Sequence, residues 1–511
     1  MQNNNNSQAI IKGLQLFEAA RQQHAASDHA KAAALYQQAL RLMPDHPAVL
    51  AEYGRLAEDV ADWQAAEKIF RRIGTLRPNS NFEGHVGHAL FRLERFSEAI
   101  AWLEKHISRN PADADVMHAL GNCYCSTGRW EDGLACARRA YALKPEAKVL
   151  DAMLNALFHL ARADELEALI NDALRRFPDS PEIRSMYALH KLKAGDYENG
   201  FAYFTDFRWR NNLKTPPDAG TPGEPWNGKP FAGTLLVTAE QGLGDEIMVS
   251  SVFADLAALG QPAIIECDAR LIPVYTRSFP TLSFVPRNQK KLLDAFNHGG
   301  SFRRINGLDL AGLFRNGTEK FPARRAWLLP DAERAAALRA GYRQRWPEKK
   351  LVGISWKSTR VMEGGAIKSV QLEDFAPVFA TANTAFINLQ YGDVADDINR
   401  VRAANIGDIF VDARVDATND IDGLCAQIAA LDLIVSTSNT TVHIAGALGI
   451  PCLVLLPKIR PVLWYWGYQG ISTPWYPSLE LLRNTCDNDW QALMNTAATQ
   501  IASFTAARPV F

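Results

Sequence analysis

Small and large apolar residues recur along the first two hundred positions with a spacing of roughly 34 residues. Prolines stand at positions 44, 78, 111, 145 and 178, and a large apolar residue precedes several of them by eight positions, beginning with Tyr36, Phe70 and Leu103. This spacing is the period of a tetratricopeptide (TPR) helix pair. We therefore predict an all-α TPR solenoid over residues 8–212, with five regular pairs and a divergent sixth pair that caps the stack.

The helical pattern stops in a stretch rich in proline and glycine. Residues 213–230 read LKTPPDAGTPGEPWNGKP, with five prolines and three glycines. This composition excludes both a helix and a central strand, so the sequence predicts a linker here. Trp226 is expected to anchor the linker to a neighbouring domain.

Beyond the linker, short apolar runs alternate with helical stretches. This alternation predicts parallel sheets covered by helices. Two such series predict two Rossmann-like lobes, residues 231–345 and 346–511, and hence an α + α/β multidomain chain with a ligand cleft between the lobes. The predicted strands are TLLVTA (234–239), AIIEC (263–267), LVGISW (351–356), AFINLQ (385–390), IFVDA (409–413), LDLIVS (431–436) and CLVLLP (452–457).

The composition of the chain limits the kinds of partner that it could bind. The 511 residues carry 55 Lys and Arg against 56 Asp and Glu, which gives no field that would attract nucleic acid or anionic lipid. The sequence has neither a secretory signal nor an apolar stretch long enough for a membrane span, so we expect a cytoplasmic protein without membrane insertion. Its seven cysteines are interpreted as reduced thiols, and no metal site is predicted.

The first candidate for chemistry follows the strand at 234–239. In QGLGD, Gly242 and Gly244 allow the backbone a close approach to a ligand at a helix start, and Asp245 follows them. The dinucleotide fingerprint fails because Ile247 stands where its third glycine belongs, which disfavours a nicotinamide dehydrogenase. As an alternative to a ligand site, Asp245 is simply the N-cap of the helix.

The second candidate follows the strand at 431–436. Hydroxyls, an amide and backbone N–H groups at a helix N-terminus favour a phosphate cradle formed by Ser438, Asn439, Thr440 and Thr441. Ordinary helix capping is the alternative. His443, one turn further on, either orients the cradle or contacts the ligand.

Two further segments contain residues that could lie near the predicted ligand cleft. The loop after GISW carries Lys357 and Lys368, and either cation could stabilise a departing phosphate. We prefer Lys368 for this role. The alternative for each lysine is a solvated side chain without a function in binding. The tail holds a dense aromatic set, which is expected to pack across a domain interface rather than to line an acceptor cleft. Its members are Trp464, Tyr465, Trp466, Trp475 and Tyr476.

Together, AEQGLGDEIM, GISWK, INLQYGD and STSNTTVHIAGALGIPCLVLLP resemble the bacterial TPR-fused glycosyltransferases over nearly the whole chain. The catalytic half of that family is similar to the inverting family-9 heptosyltransferases of the GT-B fold. The resemblance implies Asp245 as general base, Lys368 as a cation near the phosphates, and a phosphate-contacting turn at Asn439, Thr440, Thr441 and His443. Ser438 departs from the pattern, because heptosyltransferases usually carry Asp there, so the sugar and nucleotide stay open.

The resulting hypothesis is a metal-independent glycosyltransferase without a cofactor, whose donor substrate is a nucleotide-sugar. It transfers the sugar to Ser or Thr hydroxyls of an acceptor protein that the TPR arm captures, and flagellin is an acceptor in some members of the family it resembles. The alternatives are a TPR scaffold with an inactive GT-B domain, and an enzyme that acts on a lipid-linked or free glycan. In the latter case the arm would serve only homo-oligomerisation.

Overall fold

The computed structural model describes residues 2–77, 81–204, 223–240, 242–287, 301–357, 369–457, 463–484 and 490–505. The chain forms two compact units, of which one ends at Leu160 and the other begins at Ala161. Neither unit contains, within these ranges, a helix long and apolar enough to cross a membrane.

The first unit consists of helices that pack against their neighbours in sequence. Helix pairs follow the predicted repeat, which confirms the TPR prediction for this part of the chain. The bounds are α1 Gln2–Ala25, α2 His29–Leu42, α3 Pro47–Asp59, α4 Trp63–Leu76, α5 Glu83–Arg92, α6 Phe96–Arg109, α7 Ala114–Ser126, α8 Trp130–Leu143 and α9 Ala147–His159.

Small residues allow the two helices of a pair to pack closely. A Cβ atom at Gly54 would lie 2.6 Å from Cζ of Phe70, and one at Gly87 would lie 2.5 Å from Cδ2 of Leu103. Phe70 and Leu103 are fully buried, so their side chains fill the space that the glycines leave. The alternation of small and large residues in the sequence is therefore the packing pattern of the helix pairs.

The second unit begins with three more helices, α10 Ala163–Arg176, α11 Pro181–Ala194 and α12 Tyr197–Ala202. The sequence analysis assigned them to the TPR domain, and the structure also shows contacts between them and the α/β region. Leu192 and Tyr197 belong to the same buried apolar cluster as Trp464 and Trp475, and the hydroxyl of Tyr468 lies 2.9 Å from Nδ1 of His190.

The first sheet is parallel and runs in the order β1-β5-β2-β3-β4. Trp226, directly after β1, is 5% exposed and donates from its backbone N–H to the carbonyl of Arg304 over 2.8 Å, as expected of a linker anchor. The elements of this region are β1 Glu224–Pro225, β2 Thr234–Thr238, α13 Leu243–Val249, α14 Phe253–Ala258, β3 Ala263–Cys267, α15 Ile272–Ser278, β4 Ser283–Pro286, β5 Phe302–Asn306, α16 Gly307–Phe314 and α17 Ala332–Arg345.

The second sheet is also parallel, in the order β10-β9-β8-β6-β7. Every residue of β7, β8 and β9 is buried, as expected for parallel strands covered on both faces. The elements are β6 Lys350–Ser355, α18 Ala376–Phe379, β7 Thr384–Asn388, α19 Ala395–Ala403, α20 Ile421–Ala429, β8 Leu433–Thr437, α21 Thr440–Leu448, β9 Cys452–Leu456, β10 Leu479–Arg483 and α22 Gln491–Ser503.

The fold class is confirmed, with helical repeats followed by two parallel five-stranded sheets. The prediction of a strand at residues 409–413 is wrong, since Phe410 forms only an isolated bridge to Ile387. Asp412 explains the failure, because its carboxylate accepts the N–H of Arg414 at 3.1 Å and turns the chain away from the sheet. Strands β1, β4, β5 and β10 were not predicted, and β1 lies within the predicted linker.

Candidate functional site

Both sheets contain a position where the strand order reverses. In the second sheet β6 lies between β8 and β7, and in the first sheet β2 lies between β5 and β3. Loops that leave adjacent strands at such a reversal open a crevice at the carboxyl edge, where ligands of α/β proteins bind. The predicted site residues that the structure describes lie on the loops or helix starts that follow β2, β6 and β8.

Asn439 holds the start of helix α21. It is the N-cap residue, and its Oδ1 accepts the backbone N–H of Thr441 at 3.0 Å. Its Nδ2 donates to Oγ of Ser355 at 2.7 Å and to the carbonyl of Lys357 at 3.3 Å. Asn439 therefore joins the loop after β8 to the loop after β6.

Gln390, just after strand β7, adds a further connection to the loop after β6. Its buried Oε1 accepts Oγ–H of Ser355 at 2.9 Å and the backbone N–H groups of Trp356 and Lys357 at 2.9 and 2.8 Å. A buried polar network in which each member has a partner fixes one geometry. The ends of β6, β7 and β8 are thus held in register around the crevice.

Four hydroxyl groups lie around the start of α21. Ser438 Oγ accepts Nε1–H of Trp466 at 2.9 Å, and Thr440 is half-buried. The hydroxyls of Thr437 and Thr441 are buried and have no hydrogen-bond partner among the described residues. Leaving a buried donor unsatisfied costs about 1–3 kcal/mol. An anion that accepts from these hydroxyls would remove that cost.

Helices α13 and α21 contact each other at their N-terminal turns. A Cβ atom at Gly244 would lie 2.7 Å from Cδ2 of His443, so only glycine fits against the imidazole ring. The ring is buried and lies 2.7 Å from the hydroxyl of Tyr476 through Nδ1 and 3.2 Å from that of Tyr465 through Nε2. His443 therefore sets the spacing between the two helix starts.

Asp245 lies in the first turn of α13, where the N-cap is Gly242, so the N-cap alternative for Asp245 is wrong. Its Oδ2 would lie 2.7 Å from a Cβ at Gly242, which places the carboxylate over that glycine. Burial raises the pKa of Tyr465 and Tyr476 well above the ordinary value, and the Asp245 charge adds to the effect on both. The half-buried carboxylate is thus near the two tyrosines that hold His443.

The structure describes one of the two lysines predicted near the phosphates. Nζ of Lys357 lies 2.7 Å from Oδ2 of Asp397 and 3.2 Å from the carbonyl of Asp393, so it pairs with helix α19. Burial alone would raise the pKa of Asp397, but hydrogen bonds from Lys357, Trp356 and Arg400 lower it below its usual value. Lys368 lies outside the described residues. Within the described ranges no group of three or more His, Cys, Asp or Glu side chains could hold a metal ion.

The chain is similar to several known proteins. Residues 13–84 match the tetratricopeptide repeat family. Protein FlbA of Caulobacter vibrioides is 30% identical over 501 residues, which cover 94% of this chain and 82% of that protein. The chain belongs to the FlbA family. The match therefore includes both the helical repeats and the two sheets.

Two other similarities concern a smaller part of this FlbA-family chain. The human cell division cycle protein 16 homolog is 24% identical over 153 residues, covering 27% of this chain and 25% of that protein. The structure of MamA from Desulfovibrio magneticus RS-1 aligns with 33% of this chain and 98% of its own, with 21% identity and a TM-score of 0.32.

Sequence reasoning missed several residues that shape the site of this FlbA-family protein. Gln390 stood within the predicted strand 385–390, and its position at the carboxyl end of that strand was the available signal. Glu240 directly follows Ala239 after β2, and its Oε1 accepts the N–H of Leu308 at the start of α16 at 2.7 Å. The sequence analysis named Tyr465, Trp466 and Tyr476 only as interface aromatics. Their packing against His443 is not indicated by any local pattern.

Proposed function

We propose that the chain is a glycosyltransferase that transfers a sugar from a nucleotide-sugar to a hydroxyl of an acceptor protein held by its TPR helices. The observation that carries this proposal is that two buried hydroxyls, of Thr437 at the end of β8 and of Thr441 in the first turn of α21, have no hydrogen-bond partner among the described residues. Helix α21 contacts helix α13, whose first turn carries Asp245. Membership of the FlbA family supports a shared architecture, and TPR helices support binding of a protein partner.

The proposed donor site is the N-terminus of α21. Backbone N–H groups there carry a partial positive charge that favours the diphosphate of a nucleotide-sugar. Ser438, Thr440 and Thr441 supply hydroxyl donors, whereas Asn439 acts as the cap that shapes the turn. Lys368 is proposed as an additional cation for the phosphates.

In the proposed reaction, Asp245 accepts the proton of a Ser or Thr hydroxyl. The oxygen then forms a bond to the anomeric carbon as the bond to the nucleotide phosphate breaks, and the nucleoside diphosphate leaves with the electron pair. The start of α21 stabilises the negative charge on the departing group. Flagellin is our proposed acceptor class, on the basis of the sequence resemblance.

A thermal-shift screen against nucleoside mono- and diphosphates tests the donor site. A ligand at 100 times its Kd stabilises a protein by about 2.7 kcal/mol, so a true donor nucleotide raises Tm measurably. Thr441→Val removes one unpartnered hydroxyl, and we expect roughly ten-fold weaker nucleotide binding without loss of Tm in the free protein. Thr384→Val is the matched control, because that hydroxyl already donates to the carbonyl of Ala382 at 3.1 Å. The control should lose stability and keep its affinity.

Asp245→Asn separates binding from catalysis. We expect the variant to bind the nucleotide found in the screen nearly as well as the wild type and to lose sugar transfer to the acceptor protein, measured by intact mass. The amide keeps the shape of the side chain but cannot take a proton. Undiminished transfer by this variant would show that the base is another group.

The competing function is a TPR scaffold whose α/β region is inactive. It is favoured by the internal pairing of Lys357 with Asp397, because the ammonium group proposed for a phosphate already has a carboxylate partner. Absence of any nucleotide-dependent shift, together with capture of a protein partner, would support the scaffold and refute the transferase.

A further inference from the structure

Helices α1, α2 and α3 line an open polar pocket of 530 Å³ at the beginning of the repeats. It lies in the first compact unit, away from the proposed donor site in sequence, and the proposed function does not use it. Its lining includes Glu18, Arg21 and His24 from α1, Tyr36 from α2, and Glu52 and Asp59 from α3.

The charges of the lining are predominantly negative. Glu18, Glu52 and Asp59 contribute three carboxylates against the one guanidinium of Arg21, and Glu52 also forms an ion pair at 2.5 Å with Arg55, which lies outside the lining. Glu18 and Asp59 keep side-chain exposures of 58% each, although Arg21 lies 3.3 Å from the first and Nε2 of His24 lies 2.8 Å from the second. Carboxylates at this exposure can accept further hydrogen bonds from a ligand.

Tyr36 provides the observation that points to a ligand. Its side chain is fully buried, it lines the pocket, and its hydroxyl has no hydrogen-bond partner in the described part of the chain. The hydroxyl of the neighbouring Tyr53, by contrast, accepts from Nε2 of Gln37 at 2.9 Å. Buried polar atoms in proteins are nearly always paired, so the Tyr36 hydroxyl indicates a partner that the described residues do not supply.

The ring of Tyr36 is held in place by other aromatic side chains. Its centroid lies 6.2 Å from those of Phe17 and His24 and 5.9 Å from that of Tyr53. Burial, followed by the charge of Glu52, raises the pKa of Tyr36 to about 12, so the phenol stays protonated at neutral pH. The pocket therefore offers a fixed phenol oxygen and an aromatic wall, formed by the rings of Tyr36 and His24, beside three carboxylates.

We propose that this pocket binds the side chain of a lysine or arginine of a partner polypeptide. The cation donates to the phenol oxygen of Tyr36 and to the carboxylates of Glu52 and Asp59, while its apolar stem packs on the aromatic wall. The inference rests on the partner-binding role proposed for the TPR helices and names the part of the partner that they recognise.

Binding of short peptides to the full chain tests the proposal, by saturation-transfer NMR. The probe is acetyl-Gly-Lys-Gly-amide, and the same peptide with norleucine or glutamate in place of lysine gives the comparison. We expect saturable binding of the lysine peptide, which weakens as salt is raised, and at least about five-fold weaker binding of the other two. Equal binding of the norleucine peptide, or no binding of the lysine peptide, would overturn the proposal.

Two substitutions assign the binding to this pocket. Tyr36→Phe and Glu52→Gln should each weaken binding of the lysine peptide roughly five-fold or more. Tyr36→Phe should leave Tm unchanged or raised, because it deletes a buried hydroxyl that has no partner among the described residues. Tyr53→Phe is the matched control, and its affinity should equal that of the wild type. Unchanged affinity of Tyr36→Phe refutes the proposal, and the nucleotide screen, which needs no peptide, shows separately whether the transferase function fails.

Discussion

Substitution of Gly244 by alanine tests the close contact between helices α13 and α21. A Cβ at this position would lie 2.7 Å from Cδ2 and 2.8 Å from Nε2 of His443. Ordinary van der Waals contact begins at 3.4 Å, so the ring would have to move by 3.4 − 2.7, or roughly 0.7 Å. The hydrogen bonds of the ring to Tyr476 and Tyr465, at 2.7 and 3.2 Å, oppose that shift.

The expected cost follows from these distances. Overpacking a buried site costs about 1–3 kcal/mol, whereas alanine gains about 0.5–1 kcal/mol over glycine in a helix. Gly74→Ala is the matched control, since it is also helical and a Cβ there meets nothing within 4 Å. We expect the free energy of unfolding of Gly244→Ala to fall about 2 kcal/mol below that of the control, measured by urea denaturation.

A double-mutant cycle identifies the cause. In a His443→Ala background the methyl group that Gly244→Ala adds has room, so the additional cost of this substitution should largely disappear. In the proposed enzyme, a shift of Asp245 relative to α21 should also lower the rate of transfer, because displacements near 1 Å can cost about 100-fold. If Gly244→Ala is as stable as Gly74→Ala in the wild-type background, the two helix starts are not in close contact and the geometry of the site is different.

Asn439→Ala removes the cap of α21 and two hydrogen bonds to the loop after β6, so urea denaturation should show a free energy of unfolding lower by about 2 kcal/mol or more. Asn439→Ser can still cap the helix and should lose less stability. An Asn439→Ala variant as stable as the wild type would contradict the hydrogen-bond network. Burial raises the pKa of Glu246 from 4.5 to about 7 despite its ion pair with Arg287. Between these values the folded state keeps a proton that the unfolded state loses, so this group contributes stability that is present at low pH and decreases by up to about 3 kcal/mol as pH rises through the window. Stability of Glu246→Gln measured against pH should lack that decrease, and equal slopes for the two proteins would refute the assignment.

The helical repeats and most strands could be predicted because their signals are local. The proline period and the small residues at Gly54 and Gly87 report contacts within a single helix pair. The apolar run 263–267 matches β3 residue for residue, and the run 452–457 exceeds β9 by one residue. Strand β5, Phe302–Asn306, was missed because its sequence, FRRIN, carries two arginines. Its middle residues are half-buried next to the edge strand, where long charged side chains are tolerated.

The site was predictable only as far as the loops that contain it. Glycine-rich and hydroxyl-rich turns after strands indicated Asp245 and Thr441, because such turns occur at the carboxyl edge of a sheet. The roles of individual polar groups depended on partners far along the chain. Lys357 pairs with Asp397, and His443 contacts Tyr476, so neither side chain has the freedom that its local sequence indicated.

The arrangement of the two helix starts addresses an electrostatic difficulty in the proposed reaction. A carboxylate that acts as base and a diphosphate that leaves are both anions, and in a crevice with little water their repulsion would oppose binding of the donor. Asp245 lies in the first turn of α13, and the proposed phosphate site is the first turn of α21, so each negative charge has the positive end of its own helix beside it. His443 and the two tyrosines hold those ends at a fixed separation. The buried ring and its hydroxyl partners therefore act on the proposed chemistry by holding the base and the leaving group on either side of the reacting hydroxyl and anomeric carbon, with each negative charge stabilised separately.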